Sequence, residues 1–211
     1  MSNCDIIVGD TRKEIEREAQ ACRELFEKKT RDYGTSWRIL RLPSLTDQIY
    51  IKACRIRSIQ ESGENRVGDD VEGEFVAMVN YAVMALIQSL TPSPSPTPTP
   101  IAGDSPLSRG RVEGSREYHL PFDEAMKLYN EQMKRVLDLM MAKNHDYGEA
   151  WRQMRVESMV DLILMKLLRI KQIEDNHGKT LVSEGVEGGY MDIINYSLFC
   201  LVRLRELRVM S

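Results

Sequence analysis

Lys143-Asn144-His145-Asp146-Tyr147-Gly148-Glu149-Ala150-Trp151-Arg152 has a twin earlier in the chain, Lys29-Thr30-Arg31-Asp32-Tyr33-Gly34-Thr35-Ser36-Trp37-Arg38. Asp32 and Asp146 lie 114 residues apart, and the match runs on from them without a gap. Between 29–61 and 143–175, 14 of 33 positions are identical, where unrelated sequences of average composition would share roughly two. After one inserted residue it resumes: Val71-Glu72-Gly73 matches Val186-Glu187-Gly188, and Asn80-Tyr81 matches Asn195-Tyr196. The chain is therefore a tandem duplication. Residues retained in both halves mark what its fold or its chemistry requires.

The surrounding composition narrows the class. The 211 residues are 42% hydrophobic and 29% charged, with a net charge of −3. Such a chain has no basic field to hold nucleic acid by electrostatics alone. Charges at Asp5, Asp10, Arg12, Lys13 and Glu14 argue against a secretion signal. No apolar run approaches the ~20 residues of a membrane span, so no membrane partner is expected. Cys4, Cys22, Cys54 and Cys200 show no CxxC spacing. Thiols placed in apolar helical contexts read as reduced core residues of a cytoplasmic protein.

Helical periodicity recurs in both halves, and no strand pattern stands out. Thr11-Arg12-Lys13-Glu14 reads as a capping box with Thr11 as N-cap, opening a helix to about Lys29. The Asp32-Tyr33-Gly34 turn ends it, with Gly34 at positive φ. Helices are expected at about 45–61 and 70–90. Alternating proline from 92 to 100 cannot continue a helix or join a sheet interior and predicts an extended spacer. Pro121 suits the first turn of a fourth helix reaching about Ala142, with further helices at about 157–175 and 185–208. The expected architecture is all-α: two tandem three-helix repeats, 1–90 and 119–211, joined by a Pro/Ser/Thr-rich linker at 91–118. Each unit is too small to bury much by itself, so the two should pack as one pseudo-two-fold bundle, and a homodimer is a further possibility.

The middle helices carry unexpected cations. Lys166 and Arg169 share one face of a mostly apolar helix, and the first half repeats them as Lys52 and Arg55. Buried cations need partners. They either pair with carboxylates of a neighbouring helix or grip phosphate. The third helices open with acids. Glu72, Glu184 and Glu187 suit the helix dipole, yet together with Asp192 they could also hold Mg²⁺, which prefers oxygen ligands. Asp192 aligns with Ala77, so a complete metal site is expected only in the second half. In the shared turn, Asp146, Tyr147 and Trp151 either build the turn or, with Asn195, meet a base.

The pattern formed by Lys143, Asp146-Tyr147-Gly148, Trp151, Asp161, Lys166, Arg169-Ile170, Glu187, Asp192 and Asn195-Tyr196 resembles the nucleotide modification associated domain 1 family, found in bacteria and phages. More distantly, the last helix looks like the E-x-x-D helix of MazG-like all-α nucleoside triphosphate pyrophosphatases. That resemblance implies a helical bundle binding Mg²⁺ through carboxylates and cleaving between the α- and β-phosphates. The chain departs from it where those proteins carry an E-x-x-E pair and this one carries Lys166 and Arg169. The resulting expectation is a Mg²⁺-dependent nucleotide pyrophosphohydrolase or related nucleotide-processing protein. Glu187 and Asp192 would be catalytic, Glu184 and Glu72 would help bind metal, and Lys166, Arg169, Lys52 and Arg55 would bind phosphate. Asp146, Tyr147, Trp151 and Asn195 would approach the base. A non-catalytic nucleotide-binding or regulatory module, and a structural helical interaction protein in which Lys166 and Asp192 form a buried ion pair, are the alternatives.

Overall fold

The computed structural model describes residues 10–65, 70–91, 118–179 and 185–210. The expected linker lies almost wholly outside them, as do Cys4 and Glu184. Six helices form in order: α1 Thr11–Tyr33, α2 Leu42–Ser62, α3 Val71–Leu90, α4 Phe122–Tyr147, α5 Val156–Asp175 and α6 Val186–Met210. Short 3-10 turns, Ser36–Ile39 and Ala150–Gln153, precede α2 and α5. Among the described residues there is no strand.

Local chemistry sets most boundaries. Asp10, not Thr11, caps α1: its carboxylate accepts from the backbone N–H of Lys13. A carboxylate one residue earlier serves the helix N-terminus well, and this frees the Thr11 hydroxyl to bond Glu149 in the second half. The helices α1 and α4 run on through Asp32-Tyr33 and Asp146-Tyr147 and stop at the glycines. Both aspartates are thus helical rather than capping. Pro43 lies in the first turn of α2, and Gly63 closes that helix at φ 68°. Asp70 caps α3 by accepting from Glu72 N–H at 3.1 Å.

Four helices make the centre. Within each repeat α2 packs on α3 and α5 on α6; across the repeats α3 packs on α6 and α2 on α5. The flanking helices also cross over, α1 touching α6 and α4 touching α3. One continuous core results, including Phe26, Ile49, Ile56, Phe75 and Met78 of the first half and Met159, Ile163, Tyr190 and Ile194 of the second. Each such side chain contributes on the order of 1.5–3 kcal/mol on full burial. By length and composition alone α3 could cross a membrane, but 56% of its apolar window is buried in the bundle. Cys22 and Cys200 are buried and free, and burial pushes the Cys22 thiol up to about 12.

Candidate functional site

A cleft of about 390 Å³ opens in the second half between the end of α4, the following 3-10 turn and α6. Its wall includes Lys143, Tyr147, Trp151, Asp192, Asn195 and Tyr196. All six belong to the motif that defines the repeat, and five of them recur in the first half. The helix end delivers Lys143 and Tyr147, one turn apart on α4. The turn after Gly148 then swings Trp151 inward. From α6, Asp192, Asn195 and Tyr196 fall on one face at i, i+3 and i+4.

Trp151 is held by three neighbours. Its ring stacks on Phe199 at 4.4 Å with 9° between planes, and its Nε1–H donates to Asn144 Oδ1 at 3.0 Å. On the outer side the Arg152 guanidinium lies 4.5 Å from the ring centroid. Arg152 is itself a hub, bonded to Glu14, Glu149, Glu206 and Thr11. The first half retains this residue as Arg38, which is buried and bonds Gln88 at 2.6 Å.

Electrostatically the cleft centres on Asp192. Lys166 of α5 reaches one carboxylate oxygen at 2.6 Å, and Lys143 approaches the other at 3.7 Å. The Lys166 and Asp192 side chains are only 19% and 22% exposed, so this pair is screened far less than a surface one. Burial and the nearby Asp192 carboxylate raise the Tyr196 phenol, with Lys166 opposing them. Tyr196 therefore stays neutral at ordinary pH.

The first half answers the same cations differently. Glu74 binds both Lys52, at 3.0 Å, and Arg55. Burial pushes the Glu74 carboxyl up, but the hydrogen bonds from Lys52 and Arg55 outweigh it and hold the group below the usual range. Glu74 stands where the second half has Gly189, and Ala77 where it has Asp192. A Cβ at Gly189 would lie 2.8 Å from the Ile170 side chain. The α5–α6 contact leaves no room there for a carboxylate, and the second half carries its acid one turn further along.

The expected site residues thus divide. Tyr147, Trp151, Asn195 and Asp192 come together. Asp146 does not: it is exposed beside His145. Lys166, Lys52 and Arg55 have intrachain carboxylate partners, whereas Arg169 is exposed and has no ion pair among the described residues. Glu187 pairs with Arg135 at 3.0 Å and Glu72 with Arg208 at 2.8 Å. Glu184 lies outside the described residues. Among the described residues no group of three or more carboxylate, histidine or cysteine side chains could hold a metal ion. The donor set does not fit Mg²⁺, because the one carboxylate in the cleft wall is already bridged by two ammonium groups. Lys143 and Tyr196, both retained in the two halves, received no role in the sequence reading. Their identity across the duplication was the signal that marked them.

Fold and cleft together define a duplicated all-α bundle whose retained motif surrounds a cleft in its second half. The family model described as nucleotide modification associated domain 1 matches residues 29–89 and 143–204. The chain belongs to that family, and it carries the domain twice. Comparison with curated proteins and with solved structures returned no match.

Proposed function

We propose that the second-half cleft binds a small nucleotide or nucleoside, as a binding or regulatory module that does not depend on a metal ion. The observation that carries this reading is the coincidence of the repeat motif with one cleft of ligand-sized volume. Tyr147, exposed at the cleft wall, offers aromatic surface for a base, the Trp151 ring closes the cleft beside it, and Tyr196 and Asn195 offer polar atoms at the base edge. Lys143, half exposed at the cleft wall, offers an ammonium to a phosphate. Binding is favoured over hydrolysis because Asp192, the expected catalytic acid, already serves Lys166 and Lys143.

A thermal-shift series with nucleoside mono-, di- and triphosphates, each with and without Mg²⁺, tests the proposal. Ligand that binds only the folded chain raises the transition with the logarithm of its concentration. The expected result is a shift that is the same in both series. A shift seen only with Mg²⁺, accompanied by pyrophosphate release, would instead establish the metal-dependent pyrophosphohydrolase. A flat panel at millimolar ligand would leave the cleft residues as core architecture.

A further inference from the structure

The two halves hold the same asparagine in opposite states. Asn80 is 5% exposed; its amide N–H donates to Cys22 O at 3.1 Å and its Oδ1 accepts from the Tyr129 hydroxyl at 2.8 Å. Tyr129 comes from α4, in the other half. Its ring is fully buried and stacks on Phe26 at 4.5 Å. Phe26 is the repeat counterpart of Met140, which lines the cleft. Asn195, the counterpart of Asn80, is 7% exposed and stands in the cleft wall, and its buried Oδ1 has no hydrogen-bond partner among the described residues. Counted back along the helices at the same offset, Tyr129 corresponds to Ile15, which has no donor to give. Buried acceptors are nearly always paired, and one that is not calls for a partner.

We infer that the chain carries one working site, in the second half, and that its ligand is an aromatic heterocycle hydrogen-bonded by the Asn195 side-chain amide. In the first half the chain satisfies the equivalent amide itself, through Tyr129 and Cys22 O. This rests on the nucleotide-binding reading above and adds to it a stoichiometry and a residue of recognition. Asn195 is the residue that reads the base edge, and Asn80 is its self-satisfied copy.

Isothermal titration calorimetry on the full chain, with the 5′-monophosphates of adenosine, guanosine, cytidine and uridine, tests the inference. At least one should bind with one equivalent per chain. Asn195→Leu should weaken that binding tenfold or more while keeping or raising the melting temperature, since it removes an unpaired buried acceptor and nearly keeps the volume. Tyr129→Phe should lower the melting temperature, by stranding Asn80 Oδ1, and leave the affinity unchanged. In the wild-type chain, side-chain amide resonances of Asn195 should move on titration and those of Asn80 should not. That readout does not depend on any variant folding. Two equivalents per chain, unaltered binding by Asn195→Leu, or equal movement of both amides would overturn the inference and leave nucleotide binding standing. Failure of all four monophosphates to bind the wild-type chain would overturn the inference, and a flat response to the di- and triphosphates as well would overturn nucleotide binding with it.

Discussion

Gly34 and Gly148 close the same turn in the two halves with different backbones. Gly34 has φ 64° and ψ −150°, a region open in practice only to glycine. Gly148 has φ 60° and ψ 42°, an ordinary left-handed cap. Surroundings widen the difference. A Cβ on Gly34 would fall 2.5 Å from the His119 ring, whereas nothing lies within 4 Å of one on Gly148. Gly148→Ala should therefore cost about 1–2 kcal/mol, the penalty of the left-handed region for an L-residue. Gly34→Ala should cost clearly more, because the same strain is joined by displacement of His119. Urea denaturation of the two variants compares them, and equal losses would show that the first turn relaxes freely. Both glycines were legible as helix stops at positive φ, because the retained Asp-Tyr-Gly fixes a local conformation. What divides the turns was not legible. His119 reaches Gly34 from beyond the linker, and Glu149 adopts φ 60° where Thr35 does not. Trp37 and Trp151 make the same point. Trp151 Nε1 finds Asn144, while Trp37 Nε1 is buried without a partner among the described residues. The counterpart of Asn144 is Thr30, whose hydroxyl is turned onto Phe26 O.

Between helices the bundle breaks its own symmetry with polar contacts. Thr46 of α2, Glu174 of α5 and Tyr190 of α6 form a partly buried triad, with Thr46 Oγ1 2.8 Å from Glu174 and 2.7 Å from the Tyr190 hydroxyl. Their repeat counterparts, Val160, Gln60 and Phe75, cannot build it. One pairing of α2 against α5 and α6 is thereby distinguished from its mirror across the pseudo-two-fold axis. Burial raises the Glu174 carboxyl above its usual range, and the hydrogen bonds from Thr46 and Tyr190 offset that only in part. A carboxyl raised on folding binds its proton more tightly in the folded chain than in the unfolded one. Its ionisation therefore removes stability as pH rises from the ordinary glutamate range through the folded value. Glu174→Gln should raise the melting temperature near pH 8 and make little difference near pH 4, below both values. A variant less stable than wild type at pH 8 would show that the charged carboxylate is required in the triad. Helix positions, and the cation pair on α2 and α5, were legible from period and repeat. Asp192 was also legible as a partner for Lys166, but that Glu74 answers Lys52 and Arg55 in the first half was not. Glu74 and Asp192 sit one turn apart on their helices, and the choice depends on how closely Ile170 approaches Gly189, a distance between helices that no local pattern encodes.

At the scale of the whole molecule, no half owns its interior. The core runs unbroken through α2, α3, α5 and α6, and the polar contacts that fix it cross the repeat boundary. Tyr129 serves Asn80, Thr46 serves Glu174, and Arg152 ties the start of α1 to the second-half turn through Glu14 and Thr11. The cleft depends on the same ties, since Arg152 backs the Trp151 ring that lines it. A unit of some 90 residues hides only about 60–65% of the surface its unfolded chain exposes, which leaves little margin. Here each unit would also expose the faces of α2 and α3, or of α5 and α6, that the other covers. Fragments 1–90 and 119–211 made separately should accordingly show reduced helicity and broad, weakly cooperative melting. Mixed at micromolar concentration, they should regain helicity and a sharp transition that rises with concentration, as linked association requires. Circular dichroism of each fragment and of the mixture measures this. Two fragments that each melt sharply near the temperature of the intact chain would mean that the repeats are independent domains. The cleft would then be a property of the second repeat alone, and Arg152→Met would alter its ligand affinity only through Glu149 and Glu206. If the fragments need each other, removing Glu14 from the first repeat should weaken ligand binding in the second, because the guanidinium behind Trp151 loses one of the four groups that hold it.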